Sequence, residues 1–134
     1  ADAFTRVNNE MISTGEILDV TGTAMDFRTA KTFGQDINND EEPLNIGSGY
    51  DHNFVLSAHA ADEAIAKVVS KESGIEMEIF TDCPGMQIYT GNFLLDKTGK
   101  GGRSYPNRSA VAFETQQFQS GVRSPLAFIR NHSG

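Results

Sequence analysis

The chain has no tryptophan and a single cysteine, Cys83, among its 134 residues. One cysteine excludes an intrachain disulfide and a zinc site built from clustered thiols. Cys83 sits in TDCPGMQ with no basic or histidine neighbour to lower its pKa, so it reads as a structural thiol rather than a nucleophile. A lone thiol fits a reducing, cytoplasmic compartment. No apolar run approaches the roughly 18 residues that a transmembrane helix needs. The opening residues, ADAFTRVNNE, lack a basic segment followed by an apolar one, so no secretory signal is expected there. Basic residues are scarce: 11 Lys and Arg stand against 18 Asp and Glu, a formal charge of −7. That balance argues against non-specific binding to nucleic acid or to an anionic membrane, both of which need a positive surface. The deficit is uneven, because residues 1–96 hold 17 acids and five bases, whereas residues 97–134 hold one acid, Glu114, and six bases. The basic end lacks interleaved aromatics and reads as a solvated cationic surface.

Several chemistries have no motif. There is no G-x-G-x-x-G, no P-loop and no G-x-S-x-G, so nucleotide binding and serine-hydrolase chemistry are not supported. His52, His59 and His132 are scattered without the spacing of zinc ligands. The acidic stretch DINNDEEP lacks the ligand spacing and glycine of an EF-hand. No metal ligands are expected.

What is present is a β-rich pattern. The length suits about one small domain. Hydrophobic residues make up 38%, low for a compact domain, but nine Phe and three Tyr are enough to anchor a core. Short apolar segments recur between turn signals: 1–9, 16–20, 53–56, 64–71, 75–80, 86–90, 109–114 and 126–129. In 75–80, Ile75, Met77 and Ile79 alternate with Glu76 and Glu78, the pattern of a half-buried antiparallel strand. Glu72-Ser73-Gly74 joins it to 64–71 as a hairpin. Residues 34–49 read as a long polar loop and 91–108 as a Gly/Lys/Arg-rich one. Only 58–66 is friendly to helix, and it is short. The expected fold is all-β, an antiparallel β-sandwich or barrel.

Three polar residues interrupt apolar strands: Asp51 in GYDHNFVL, Gln87 in PGMQIYTGN and Glu114 at the end of SAVAFE. A carboxylate in a buried strand is costly unless it is paired or used. Each has a plain reading, a strand residue that reaches solvent or a basic partner. Each also has a functional one, with Glu114 as a general base. His52 follows Asp51 directly, and neighbours on a strand point to opposite faces, so this pair is not expected to converge on one substrate.

These segments also carry a resemblance. The motifs FTRVNNEMISTGEILDVTGTAMDFR, GSGYDHNFVL, TDCPGMQIYTGNFL and SAVAFETQQFQ, in that order, resemble the C-terminal half of the galactose mutarotase (aldose 1-epimerase) family. The resemblance implies a large antiparallel β-sandwich, here a partial one, whose concave face holds an aldose of the galactose or glucose type. It implies interconversion of α- and β-anomers at C1 without metal or organic cofactor. A base takes the proton of the C1 hydroxyl and an acid protonates the ring oxygen. The ring opens, the C1–C2 bond rotates, and the ring closes on the other face. By motif position, Glu114 in FETQ matches the family's base, Asp51 in GYDHNF a carboxylate that binds sugar hydroxyls, and Gln87 in PGMQIYTGN a sugar-contacting amide.

The chain departs from the family in three ways. The family's other half carries its catalytic histidine acid, and none of His52, His59 or His132 lies in a matching motif. Ser13 stands in MISTGE where the family usually has proline. Residues 120–134, SGVRSPLAFIRNHSG, read as a divergent tail after a 1–119 half-sandwich. The chain alone is therefore expected to be inactive, since losing one of two acid–base groups costs about 10²–10⁴-fold. Half a sandwich exposes strand edges, so a homo-oligomer formed through those edges is expected. The alternative functions are a carbohydrate-binding fragment without catalysis, which the lack of Trp weakens, and a structural, self-associating one.

Overall fold

The computed structural model describes residues 1–118. In chain order the elements are β1 (Ala3–Val7), β2 (Ser13–Asp19), α1 (Phe33–Asp36), α2 (Glu42–Gly47), β3 (Asp51–Val55), β4 (Ala66–Val69), β5 (Glu76–Ile79), β6 (Gly85–Tyr89), β7 (Lys97–Thr98), β8 (Ser104–Tyr105) and β9 (Ala112–Gln116). Five strands form one sheet in the order β2–β1–β3–β6–β9, and the neighbouring pairs are antiparallel. β4–β5 and β7–β8 are separate hairpins.

Alternation along the strands gives the sheet two unlike faces. On one face Phe4 registers with Phe54, Phe54 with Met86, His52 with Ile88 and Ile88 with Phe113. On the other, Asn53 registers with Gln87 and Gln87 with Glu114. The apolar face is covered by the segment 20–50, which contributes Val20, Ala24, Met25, Ile37, Leu44 and Tyr50 to the core. Phe27 sits at its centre, with ring centroids 5.3 Å from Phe33, 5.2 Å from Tyr50 and 6.0 Å from Phe54. Ile65, Ala66 and Ile79 of the first hairpin reach the same core. The fold is thus all-β, antiparallel and sandwich-like, as the strand spacing implies.

Four local expectations change. The region 34–49 is not a plain loop, because it contains α1 and α2. Neither is long enough to display a helical repeat. α2 is marked only by Pro43 in its first turn and by Ser48 in the left-handed conformation at its end. Acids beside the two helices work as tethers: the Glu41 carboxylate accepts the Ala24 amide through both oxygens at 3.0 Å. Lys31 donates to Asp36 and to the Ala24 carbonyl, each at 2.7 Å. Second, β5 is not half-buried. Ile75 is 66% exposed and Met77 41%, because β4–β5 projects from the core and only Ile79 turns inward. Third, β9 lies two to three residues later than 109–114, which puts Glu114 in mid-strand rather than at an end. Fourth, the loop 91–108 holds the short β7–β8 hairpin. The expected strand at 126–129, the tail 120–134 and His132 lie outside the described residues.

Candidate functional site

The polar face of the sheet carries the site. Asp51, Asn53, Gln87 and Glu114 project from it because they occupy the alternate positions of β3, β6 and β9 whose neighbours, His52, Phe54, Met86, Ile88 and Phe113, turn to the core. Gln87 Nε2 donates to Asp51 Oδ1 at 2.7 Å. A carboxylate can only accept, so the amide must present its NH₂ to Asp51, which leaves the Gln87 carbonyl as an acceptor. One strand further, Glu114 stands in register with Gln87. Among the described residues, Glu114 makes no side-chain hydrogen bond or ion pair, and it is exposed. Gln116 Nε2 donates to Asn53 Oδ1 at 3.1 Å, making a second amide contact across the same face.

Asp51, Asn53 and Gln87 form one wall of an open cavity of about 100 Å³, and Thr5, Val7, Met11 and Ser13 of the β1–β2 hairpin form the other. Enclosed ligand sites usually measure about 300–1,000 Å³. This one is a polar floor with no roof among the described residues. Asp51 and Gln87 are therefore brought together, as sought. Glu114 shares their face but stands beside the cavity rather than in its lining.

The approach to Asp51 is tied down by hydrogen bonds. Asn92 Nδ2 donates to the carbonyls of Gly47 and Tyr50 at 2.9 and 3.0 Å, and Thr90 Oγ1 donates to Asn92 Oδ1 at 2.8 Å. Gly49, at φ +134°, lies so close to the Asn92 side chain that a Cβ could not be accommodated. The Tyr50 hydroxyl donates to the Ala24 carbonyl at 3.0 Å. Its pKa is raised, first by burial and then by the charges of Asp36 and Glu41. Below the cavity, on the core face, His52 is fully buried and burial pushes its pKa down to about 4. As strand alternation requires, His52 and Asp51 do not converge. His59 is remote, its ring nitrogens lying 2.7 and 2.8 Å from the carbonyls of Ser57 and Thr81. Among the described residues no group of three or more His, Cys, Asp or Glu could hold a metal.

Thr5 and Asn53 line the cavity too, although the sequence motifs did not single them out. Asn53 was legible in principle, because it lies two positions from Asp51 on one strand and so shares its face. Thr5 carries no such local signal, since only the pairing of β1 with β3 brings it there.

The architecture is that of the aldose epimerases. A solved aldose epimerase homologue from C. elegans superimposes with a TM-score of 0.73 at 33% identity, over 86% of this chain and 34% of that one. Galactose 1-epimerase from Lactobacillus acidophilus NCFM shares the fold with a TM-score of 0.77 at 24% identity. The aldose 1-epimerase family profile matches residues 1–131, and this chain belongs to that family. It is 42% identical to galactose mutarotase of Bos taurus over 127 residues, and 32% identical to aldose 1-epimerase of Haemophilus influenzae over 116. Those alignments cover 93% and 87% of this chain but only 35% and 33% of the relatives, so the chain spans about a third of their length.

Proposed function

We propose that this chain supplies the base-bearing part of an aldose 1-epimerase site. Asp51 and Gln87 bind hydroxyls of an aldose of the galactose or glucose type, and Glu114 removes the proton of the C1 hydroxyl. The observation that carries this reading is the 2.7 Å Gln87–Asp51 hydrogen bond on the cavity wall, with Glu114 in register on the next strand. A carboxylate and an amide locked together offer acceptors and a donor in fixed positions, which suits the vicinal hydroxyls of a sugar.

In this mechanism the Glu114 carboxylate takes the C1 hydroxyl proton as the C1–ring-oxygen bond breaks. A general acid delivers a proton to the ring oxygen, giving the open-chain aldehyde. Rotation about C1–C2 exposes the other face of the carbonyl. Reclosure reverses both proton transfers, so atoms and protons balance with no oxidant or cofactor. Neither histidine among the described residues is offered to Glu114 as that acid. His52 faces the core with Nδ1 already engaged, and His59 lies among loop carbonyls. The chain alone therefore binds sugar but turns it over poorly, by about 10²–10⁴-fold relative to a complete acid–base pair.

Polarimetry of freshly dissolved α-D-glucose and α-D-galactose tests this, with the chain beside its Glu114→Gln variant. The expected result is weak or no acceleration from the chain alone, and acceleration when a chain carrying the family's N-terminal part is added. Loss of that restored activity in Glu114→Gln supports the assignment of the base. Full restored activity in the variant overturns it.

A further inference from the structure

We propose that His52 is a positioning residue of the sugar site: its Nδ1 replaces the strand partner that the Asp51 amide lacks, and so fixes where the Asp51 carboxylate leaves the sheet. The inference rests on the reading of Asp51 as a sugar ligand. Its geometry begins with the ladder. Thr90 donates its amide to Tyr50, and Leu56 donates to Pro84, so the even-numbered residues of β3 exchange hydrogen bonds with β6. The odd-numbered amides, Asp51 among them, therefore point toward β1. β1 pairs with β3 only at Ala3↔Val55 and Phe4↔Phe54. Continued in that register, Asp51 would meet Val7, but β1 is irregular between Thr5 and Val7 and its far end follows β2 instead. The cavity opens where this pairing stops, with Val7 on one wall and Asp51 on the other.

The stranded Asp51 amide is taken by His52 Nδ1 at 3.1 Å. An accepting Nδ1 carries no proton, so the neutral ring holds its hydrogen on Nε2. Nε2 is buried without a hydrogen-bond partner among the described residues. A phenyl ring would fill the same space, edge-on to Phe4, with no polar atom stranded; what it lacks is an acceptor for the Asp51 amide. Gly47 makes room for the imidazole, since a Cβ there would stand 3.1 Å from His52 Cε1. Burial disfavours the charged ring and holds it neutral near pH 7, so Nδ1 remains an acceptor.

The test compares the full chain with His52→Asn and His52→Leu. Asn and Leu have nearly the same shape, and only Asn places an acceptor where Nδ1 stands, so both lose ring packing and their difference reads the acceptor. Nitrogen NMR of the wild-type ring is expected to show Nδ1 unprotonated and Nε2 protonated. Amide exchange at Asp51 is expected to be slow in wild type and His52→Asn and at least about tenfold faster in His52→Leu. The Gln87 side-chain NH₂ resonances should shift toward solvent-like values in His52→Leu alone. Galactose affinity by calorimetry should fall about tenfold in His52→Leu and recover in His52→Asn. A protonated Nδ1, or unchanged Asp51 exchange and Gln87 resonances in His52→Leu, overturns the proposal. Asp51→Ala separates the two ideas. If it binds galactose as well as wild type does, the sugar reading fails, while the exchange and Gln87 measurements still decide whether His52 positions Asp51.

Discussion

At the scale of single residues, the two faces of the sheet set opposite demands. Gln87 and Asp51 are half-buried and hydrogen-bonded, so Asp51→Ala removes an acceptor and leaves the Gln87 amide without its partner. We expect sugar affinity to fall while stability changes by about 1–3 kcal/mol, the range for a buried polar group left unpaired, as read by calorimetry and urea unfolding. Gly85 lies against Asn53, where a Cβ would stand 2.6 Å from Oδ1. Gly85→Ala should push Asn53 off Gln116 and destabilise the chain by about 1–3 kcal/mol without removing any functional group. His52 makes the molecule sensitive to acid. Its pKa falls from 6.5 to about 4 on folding, so the unfolded chain binds a proton at pH values where the native chain does not. The resulting stability is complete above 6.5 and is lost as the pH falls toward about 4. A fully buried ring with that shift contributes about 3 kcal/mol. The carboxylates with lowered pKa, among them Glu16 beside Arg6 and Asp26 beside Arg28, lose stability only below their ordinary values near 4. Between 4.5 and 6.5 the resolved shift among the described residues is that of His52. Urea midpoints at about pH 7 and about pH 5 should differ in wild type and converge in His52→Leu.

Elements differ in how firmly they are held. The segment 20–50 is built from turns and two short helices, yet it is pinned by the Glu41 contact with Ala24 and by Lys31, which bridges Ala24 and Asp36 and lies 4.6 Å from the Phe27 ring centroid. Lys31 and Asp36 are largely enclosed, with side-chain exposures of 10% and 21%. Lys31→Met should cost about 3 kcal/mol, because it removes the ion-pair partner of a largely enclosed Asp36. The β4–β5 hairpin is the contrary case. Its exposed Val69, Ile75, Met77 and Phe80 give it little burial, so its amides should exchange well before those of β3 and β6 in native-state hydrogen exchange. That contrast also explains why the element pattern was only partly readable. β6 and the hairpin were visible as apolar or alternating runs between turn residues. α1 and α2 were not, since four and six residues are too few to show a period. β9 was displaced because Ser109 to Val111 look strand-like while β6 selects Ala112–Gln116 as its partner.

For the whole molecule, two edges matter. β2 and β9 flank the sheet, each with one strand neighbour among the described residues. Ile12 and Ile17 are exposed at one edge and Val111 near the other. Unpaired edges carrying apolar side chains associate with further chains. We expect sedimentation velocity at rising concentration to show a dimer or larger species; a single monomer throughout would count against edge pairing. The cavity is open as well: its polar floor lacks a roof among the described residues, and the chain spans 35% of the length of galactose mutarotase from Bos taurus.

The sequence by itself determined the antiparallel β class, the family, and the identity of Asp51, Gln87 and Glu114 as polar breaks in apolar strands. Those properties live in local alternation and in short motifs, which need no knowledge of distant contacts. Tertiary structure alone decided the rest. Which strand lies beside which is a matter of pairing between segments about 30 to 50 residues apart in the chain, as in β1 with β3 and β3 with β6. That pairing brings Gln87 onto Asp51, admits Thr5 to the cavity and leaves Glu114 beside it. It also ends β1–β3 pairing where it does, which strands the Asp51 amide and turns a buried histidine into its acceptor.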